Sequence, residues 1–229
     1  MLLSLILSGN FNFFSVITCI AASLLVILFV LPFHEYAHGF VAYKLGDRTA
    51  KNSGRLTLNP LAHLDYAGAL LLMFIGFGWA KPVPIDDRNF KNPKVGMAIT
   101  ALAGPIANLL AAIIAGLIYN AIIYTVGMAV ILTNYFWYYT VLLFQYLMII
   151  NIGLAVFNLI PIPPLDGSKI LMAFLPDRIV YKIYEYQQFF AIGLFILVMM
   201  GGLSGGFIST IQNWLFVGIN RLTALPFNL

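Results

Sequence analysis

The sequence is short of charge. Asp, Glu, Lys and Arg make up 9% of its 229 residues, against about 25% in a typical soluble domain. Residues 1–34 contain none of the four, and neither do residues 95–165. With a mean hydropathy of +0.95, this excludes a soluble globular chain and predicts an integral membrane protein. Cysteine is limited to Cys19, which excludes an internal disulfide framework and a Cys-based metal site. A basic leader and a small-residue cleavage site are both missing ahead of the first apolar run. Residues 13–33 therefore read as a retained span rather than a signal peptide. Low-complexity linkers and internal repeats are also lacking, and residues 1–229 read as a single domain.

The formal charge is +4, and its placement says more than its size. The basic residues form three clusters: Lys44, Arg48, Lys51 and Arg55; Lys81, Arg88, Lys91 and Lys94; Lys169, Arg178 and Lys182. These read as solvated loops between spans, a topology signal that gives no reason to expect nucleic acid as a partner.

At about 20 residues per crossing, the pattern predicts an all-α polytopic membrane protein. About five transmembrane helices are expected, within a range of four to six, with a small membrane-associated β element and a re-entrant segment. The first span runs from Phe13 to about Lys44, with Pro32 as a kink. "GRLTLNP" alternates like a short strand. Ala67–Ala80 is short for a crossing and carries three glycines, so 61–80 reads as a dip. "WAKPVPI" is expected to be extended, since each proline turns the preceding residue away from helix. Val95–Tyr124 and Ala129–Ile160 read as two spans. Gly104–Pro105 is expected to break the first, and Pro161, Pro163 and Pro164 end the second. Residues 168–186 form a polar connection, and about 187–222 a C-terminal helical hairpin around "GGLSGG". If 61–80 dips and returns, all three basic clusters and Arg221 share one side. The positive-inside rule makes that side cytoplasmic and puts the N-terminus outside.

The chain has three histidines, and two of them flank its first acid in "HEYAH". His34 and His38 are four apart, so on a helix they stack on one face and can hold one zinc ion. Glu35 is rotated about 100° from His34. It stays off the metal but can reach a water on it, taking its proton and passing it to a leaving amine. The plainer reading is a pair of hydrogen-bonded core histidines beside a structural acid. An ionisable group at membrane depth favours the functional one. A catalytic zinc needs a third protein ligand and an open position. The residues leave His63, Asp65 and Asp166 as candidates. Asp166 also fits an interfacial turn in "PLDG".

"HEYAH", "RLTLNPLAHLD", "GWAKPVP", "LAGPIAN" and "FNLIPIPPLDG", in this order, resemble the site-2 protease family, the intramembrane zinc metalloproteases of peptidase group M50. The resemblance runs from about Phe29 to Ile170. It is closest to the compact bacterial and archaeal type without a PDZ domain. It implies a zinc metalloprotease core over about 13–170, with one zinc ion per chain. His34, His38 and Asp166 are its implied ligands and Glu35 its catalytic acid/base. It also implies that Asn158 positions substrate or the oxyanion, whereas the residue itself fits equally well as a buried structural amide. Asn108 is expected to pack against the active-site helix. One departure is "LDYAG", where the family pattern leads us to expect a proline after the aspartate.

The implied function is endopeptidase cleavage in or near the transmembrane segment of a membrane-protein substrate. The setting is a multi-pass protein of the cell membrane with its active site towards the cytoplasm. The lipid bilayer, the substrate and a regulatory membrane protein are the expected partners. An unwound substrate is expected to pair with an edge at 55–59 or 79–85. Two other classes stand beside this one: a metal-ion transporter and a non-cleaving scaffold that binds membrane helices. A transport pathway would need further acidic or His sites, and 95–165 has none.

Overall fold

Long apolar runs with few strand-type interruptions become helix. A computed structural model describes residue 2 and residues 12–75, 78–199 and 206–227. Most of the expected "GGLSGG" turn lies outside these residues. Every regular element among them is a helix. α1 (Phe13–Leu25), a π turn (Val26–Val30) and α2 (Leu31–Lys44) form one continuous rod. Short α3 (Thr49–Asn52), α4 (Pro60–His63) and α5 (Tyr66–Ile75) follow. Two long helices come next, α6 (Pro93–Val126) and α8 (Tyr135–Asn158), joined through α7 (Met128–Thr133). α9 (Asp166–Met172), α10 (Asp177–Glu185), α11 (Gln187–Met199) and α12 (Phe207–Ala224) complete the chain.

Among the described residues three helices are long and apolar enough to cross a membrane, Phe13–Lys44, Pro93–Val126 and Tyr135–Asn158; the expected count of about five is not confirmed. Tyr66–Ile75 and Gln187–Val198 are apolar but shorter. α12 carries Gln212, Asn213, Asn220 and Arg221, which dilute its apolar character.

The helices run on through Pro32, and through Pro105 where a break was expected. Pro32 does not break the rod. Its ring opposes the carbonyl of Leu28, which lies inside the π turn, where Leu31 N–H bonds to Val26 O instead. Pro105 does not end α6 either. It is fully buried, and packing against α2 and α8 overrides its weak local preference. Asn92 caps the start of α6 by accepting from Val95 N–H, and Gly127 ends it with φ near +80°.

The expected β element is not found among the described residues. At 50–59 the backbone bonds to itself. Arg55 and Leu56 N–H both donate to Ala50 O, and Asn59 N–H donates to the Thr57 hydroxyl. Such local bonds compete with strand pairing. The "WAKPVPI" stretch is free of regular structure, as the prolines require.

The described parts of the 61–80 segment fold back against one another. α5 runs for 10 residues; beyond it, the Trp79 backbone returns to lie against Gly68 so closely that a Cβ on Gly68 would overlap it. Two residues later Lys81 N–H bonds to His63 O over 2.8 Å, back at the level where the segment began.

The core joins the rod, α6 and α8, with Val26, Leu31, Ala112, Met148 and Ile152 buried together. Asn120 of α6 bonds to the Thr223 hydroxyl of α12 over 2.9 Å, fastening the C-terminal helix to the core. The two ends of the bundle differ. At one, Phe14 stacks on Tyr135 and Tyr139, beginning an aromatic belt of the kind found at membrane interfaces. The other collects the basic clusters. Asp47 accepts from Asp86 N–H and Asn89, and Lys94 pairs with Asp177, so the three loop regions meet there.

Candidate metal centre

α2 and α6 run antiparallel, and this register builds the site. His38 Nδ1 donates to the carbonyl of Thr100 over 2.7 Å. That bond fixes the tautomer and leaves the Nε2 lone pair free, the arrangement usual for a metal-ligating histidine. One turn along each helix, His34 faces Gly104. A methyl built on Gly104 would fall against Nε2 of both imidazoles, so only glycine leaves that space open. α9 then brings Asp166 across from the far side.

The three side chains converge. His34 Nε2 and His38 Nε2 lie 3.0 Å apart, and Asp166 Oδ2 lies 3.3 Å and 3.2 Å from them. All three residues are buried. Two imidazole lone pairs and a carboxylate cannot share such a space comfortably without a cation between them. Tetrahedral ligands at about 2.0–2.1 Å from zinc stand about 3.3 Å from one another. The observed spacings match that geometry, and the open cradle at Gly104 is consistent with a small ion. These three residues therefore fit a zinc ion, with no protein group required in the fourth position.

Glu35 sits next to His34 but outside the triad. Its Oε2 accepts from the backbone N–H of Val83 over 2.8 Å, and its side chain lines the same cavity of about 1060 Å³ as the triad. The wall opposite α2 is the extended "WAKPVPI" stretch. Arg55 donates to the carbonyls of Lys81 and Pro82 and holds it in place. Asn158 also lines the cavity, at the last turn of α8.

The other two candidate ligands are used differently. His63 is buried and its Nε2–H donates to Thr57 O over 2.8 Å; it builds the loop and is no ligand of this group. Asp65 caps α5 by accepting from Gly68 N–H, though it faces the cavity. Asn108 is fully buried on the face of α6 that carries Thr100 and Gly104, and its amide has no hydrogen-bond partner among the described residues.

Lys169 was assigned by its sequence to a cytoplasmic loop cluster. The structure places it in the cavity, with Nζ 3.2 Å from Asp166 Oδ1. The available signal was its spacing, three residues after Asp166 on the same helix. Thr100 had no signal, because it acts through its backbone.

The expected edge for substrate pairing is also altered. Lys81 N–H is taken by His63 O, Val83 N–H by Glu35, and Pro82 and Pro84 have none. Residues 81–84 thus offer no free N–H.

Outside the centre, the Asp47 carboxylate is buried in the loop knot. Burial opposes its charge, but bonds from the Thr49 hydroxyl, Asp86 N–H, Thr49 N–H and Asn89 outweigh it and hold its pKa below the usual carboxylate range.

Comparison with known proteins places the chain in a family. The profile of peptidase family M50 matches residues 22–200. The chain is 39% identical over 170 residues to YwhC of Bacillus subtilis, covering 72% of this chain and 75% of that one. It is 26% identical over 190 residues to Rip2 of Mycobacterium tuberculosis, covering 81% and 69%. It is 27% identical over 198 residues to Rip2 of Mycolicibacterium smegmatis, covering 82% and 70%. All three carry names that describe zinc metalloproteases. No solved structure gives a significant match. The chain belongs to peptidase family M50.

Proposed function

We propose that this peptidase is a zinc-dependent intramembrane endopeptidase that cuts membrane-protein substrates in or near a transmembrane segment. The observation that carries this reading is the convergence of His34, His38 and Asp166 at 3.0–3.3 Å, beside a cavity walled by apolar helices. His34, His38 and Asp166 hold the zinc. When bound, zinc supplies Lewis acidity that polarises a peptide carbonyl and acidifies water.

The chain's own residues do the rest. Glu35 accepts a proton from the attacking water on its carboxylate and returns it to the nitrogen of the departing amine. Its bond to Val83 N–H aims the carboxylate into the cavity. Asn158 orients the substrate carbonyl from the end of α8. The apolar walls limit water to what reaches the site from the polar end, which protects an unwound substrate from solvent.

The protein spans the cell membrane several times in this reading. His34 precedes Lys44, at the basic end, by ten residues, or about 15 Å of helix. The site then lies inside the bilayer near its cytoplasmic face, because that end holds all three basic clusters. A regulatory membrane protein would act by controlling access to the cavity.

The test uses purified wild type and Glu35→Gln in liposomes, with bound zinc per chain and cleavage of a single-span test protein as readouts. The test protein carries helix-breaking residues near its cytoplasmic end. Zinc near one per chain in both, with cleavage in wild type alone, is expected. Absence of bound zinc in both would overturn the reading, as would zinc uptake into the liposomes, measured alongside, that survives Glu35→Gln with no cleavage in wild type.

A further inference from the structure

The cavity extends well past the triad. Along α8 its lining includes Ile149, Gly153, Leu154, Phe157 and Asn158, nine helical steps or about 13 Å. It runs from the level of the metal centre towards the aromatic end. This deep part is walled by apolar side chains of α8 and α11. One polar group interrupts it. Gln212 of α12 lines the cavity, and its Nε2 lies 3.9 Å from where a Cβ on Gly153 would stand. That is ordinary van der Waals distance, so the amide lies beside Gly153 at the cavity wall.

Gln212 makes no hydrogen bond to any described residue. A carboxamide in an apolar cavity at membrane depth is costly unless it finds a partner. The arrangement supplies a reason for one. A peptide chain unwound for cutting exposes N–H and C=O groups that cannot stay unpaired in lipid. The wall at 81–84 has no N–H to offer its carbonyls, as described above. Gln212 has two donors and an acceptor.

We propose that Gln212 is a substrate-binding residue: its carboxamide pairs with the main chain of the unwound substrate on the deep side of the scissile bond. The proposal rests on the endopeptidase reading. Gly153 precedes Asn158 by five residues, about 7.5 Å of helix, and extended chain covers that in about two residues at 3.3 Å each. Gln212 therefore meets the substrate about two residues beyond the cut. The substrates this selects are spans that already unwind easily there, with Gly, Asn or Ser in place of a β-branched or bulky residue beside Gly153.

The test protein is a single-span protein in liposomes chosen because wild type cuts it, with Glu35→Gln as the blank. A failure of the endopeptidase reading shows at that stage, in wild type. Gln212→Leu is expected to raise KM roughly tenfold, the effect of one polar partner lost from a buried pair, with kcat within about twofold. Zinc per chain and thermal midpoint stay at wild-type values. Gln212→Asn restores part of the KM. Trp214→Leu, on the exposed face of the same helix, leaves KM unchanged. Placing Ile two residues beyond the cut in the test protein weakens wild-type cleavage. An unchanged KM in Gln212→Leu would overturn the proposal. So would a fall in zinc or in thermal midpoint that accounts for the loss, since that is a structural role.

Discussion

The backbone N–H of Val83 donates to Glu35 Oε2 across 2.8 Å. The bond joins the acid of the HEYAH stretch to the extended segment that forms the opposite wall of the cavity. It constrains the carboxylate through backbone alone, and it uses only one of the two carboxylate oxygens.

Glu35→Gln keeps the acceptor that Val83 needs and removes the proton-carrying oxygen. The variant is expected to fold and to bind zinc like wild type, with kcat lower by about 10²–10⁴. Zinc analysis beside a cleavage assay checks it. Loss of zinc in this variant would mean that Glu35 is a ligand.

The Glu35–His34–His38 group was legible because its chemistry lies within five consecutive residues and one helical turn. Asp166 was legible through the family pattern, and by itself remained one of three candidates. The first rod and the two long helices followed from apolar length alone. What was hidden works through backbone or through distance. Thr100 acts through a carbonyl that any residue has. Lys169 read as one more loop cation, because nothing in sequence says that α9 turns inward. "GRLTLNP" alternates like a strand, yet its N–H groups find closer partners at Ala50 and Thr57. Pro105 had the local signature of a break and lost to packing.

Gly104 touches both imidazoles through the absence of a side chain. Gly104→Ala would put a methyl against both Nε2 atoms, where it competes with the ion. Zinc affinity is expected to fall by more than about 100-fold, beyond the range usual for outer-shell changes. Ala favours the helix by about 1 kcal/mol over Gly, so the fold should persist. Competition with a chromogenic chelator, alongside circular dichroism, measures both.

The Asp47 knot should respond to acid. Its folded-state pKa lies below the usual value of about 3.9. Its stabilising contribution is then complete above pH of about 4 and is lost as pH falls through the lower folded-state value. Protection of the Thr49 and Asp86 amides, relative to their intrinsic exchange rates, should be high at pH 6 and fall as the pH drops well below the usual carboxylate range. Asp47→Asn should show lower protection at pH 6 and lose most of the pH dependence of that protection.

Asn120 ties α6 to α12 inside the bundle. Asn120→Leu removes the donor and leaves the Thr223 hydroxyl with its own helix carbonyl at Ile219. Polar contacts between membrane helices are worth about 0.6–2 kcal/mol, and the variant should unfold more easily by about that amount. Zinc affinity should hold, because the pair is remote from the centre. Unfolding in mixed micelles gives the first quantity and chelator competition the second.

Lys169 is the sharpest test of how Asp166 is held. One carboxylate oxygen, Oδ2, faces the imidazoles and the other, Oδ1, faces the ammonium at 3.2 Å. A carboxylate turning about its bond would exchange these oxygens and spoil the spacing of the ligand set. The ammonium opposes that rotation, and it also offsets the cost of burying the charge. Lys169→Met keeps the length and apolar stem and removes the charge. It is expected to weaken zinc binding by about 10–100-fold, the usual effect of losing a partner behind a metal ligand. Lys169→Arg keeps a donor to Oδ1 and should retain most of the affinity. The zinc-free thermal midpoint should change little in either, because Lys169 is partly exposed. Equal zinc affinity in wild type and Lys169→Met would show that Asp166 is held by its helix alone, with the lysine a bystander.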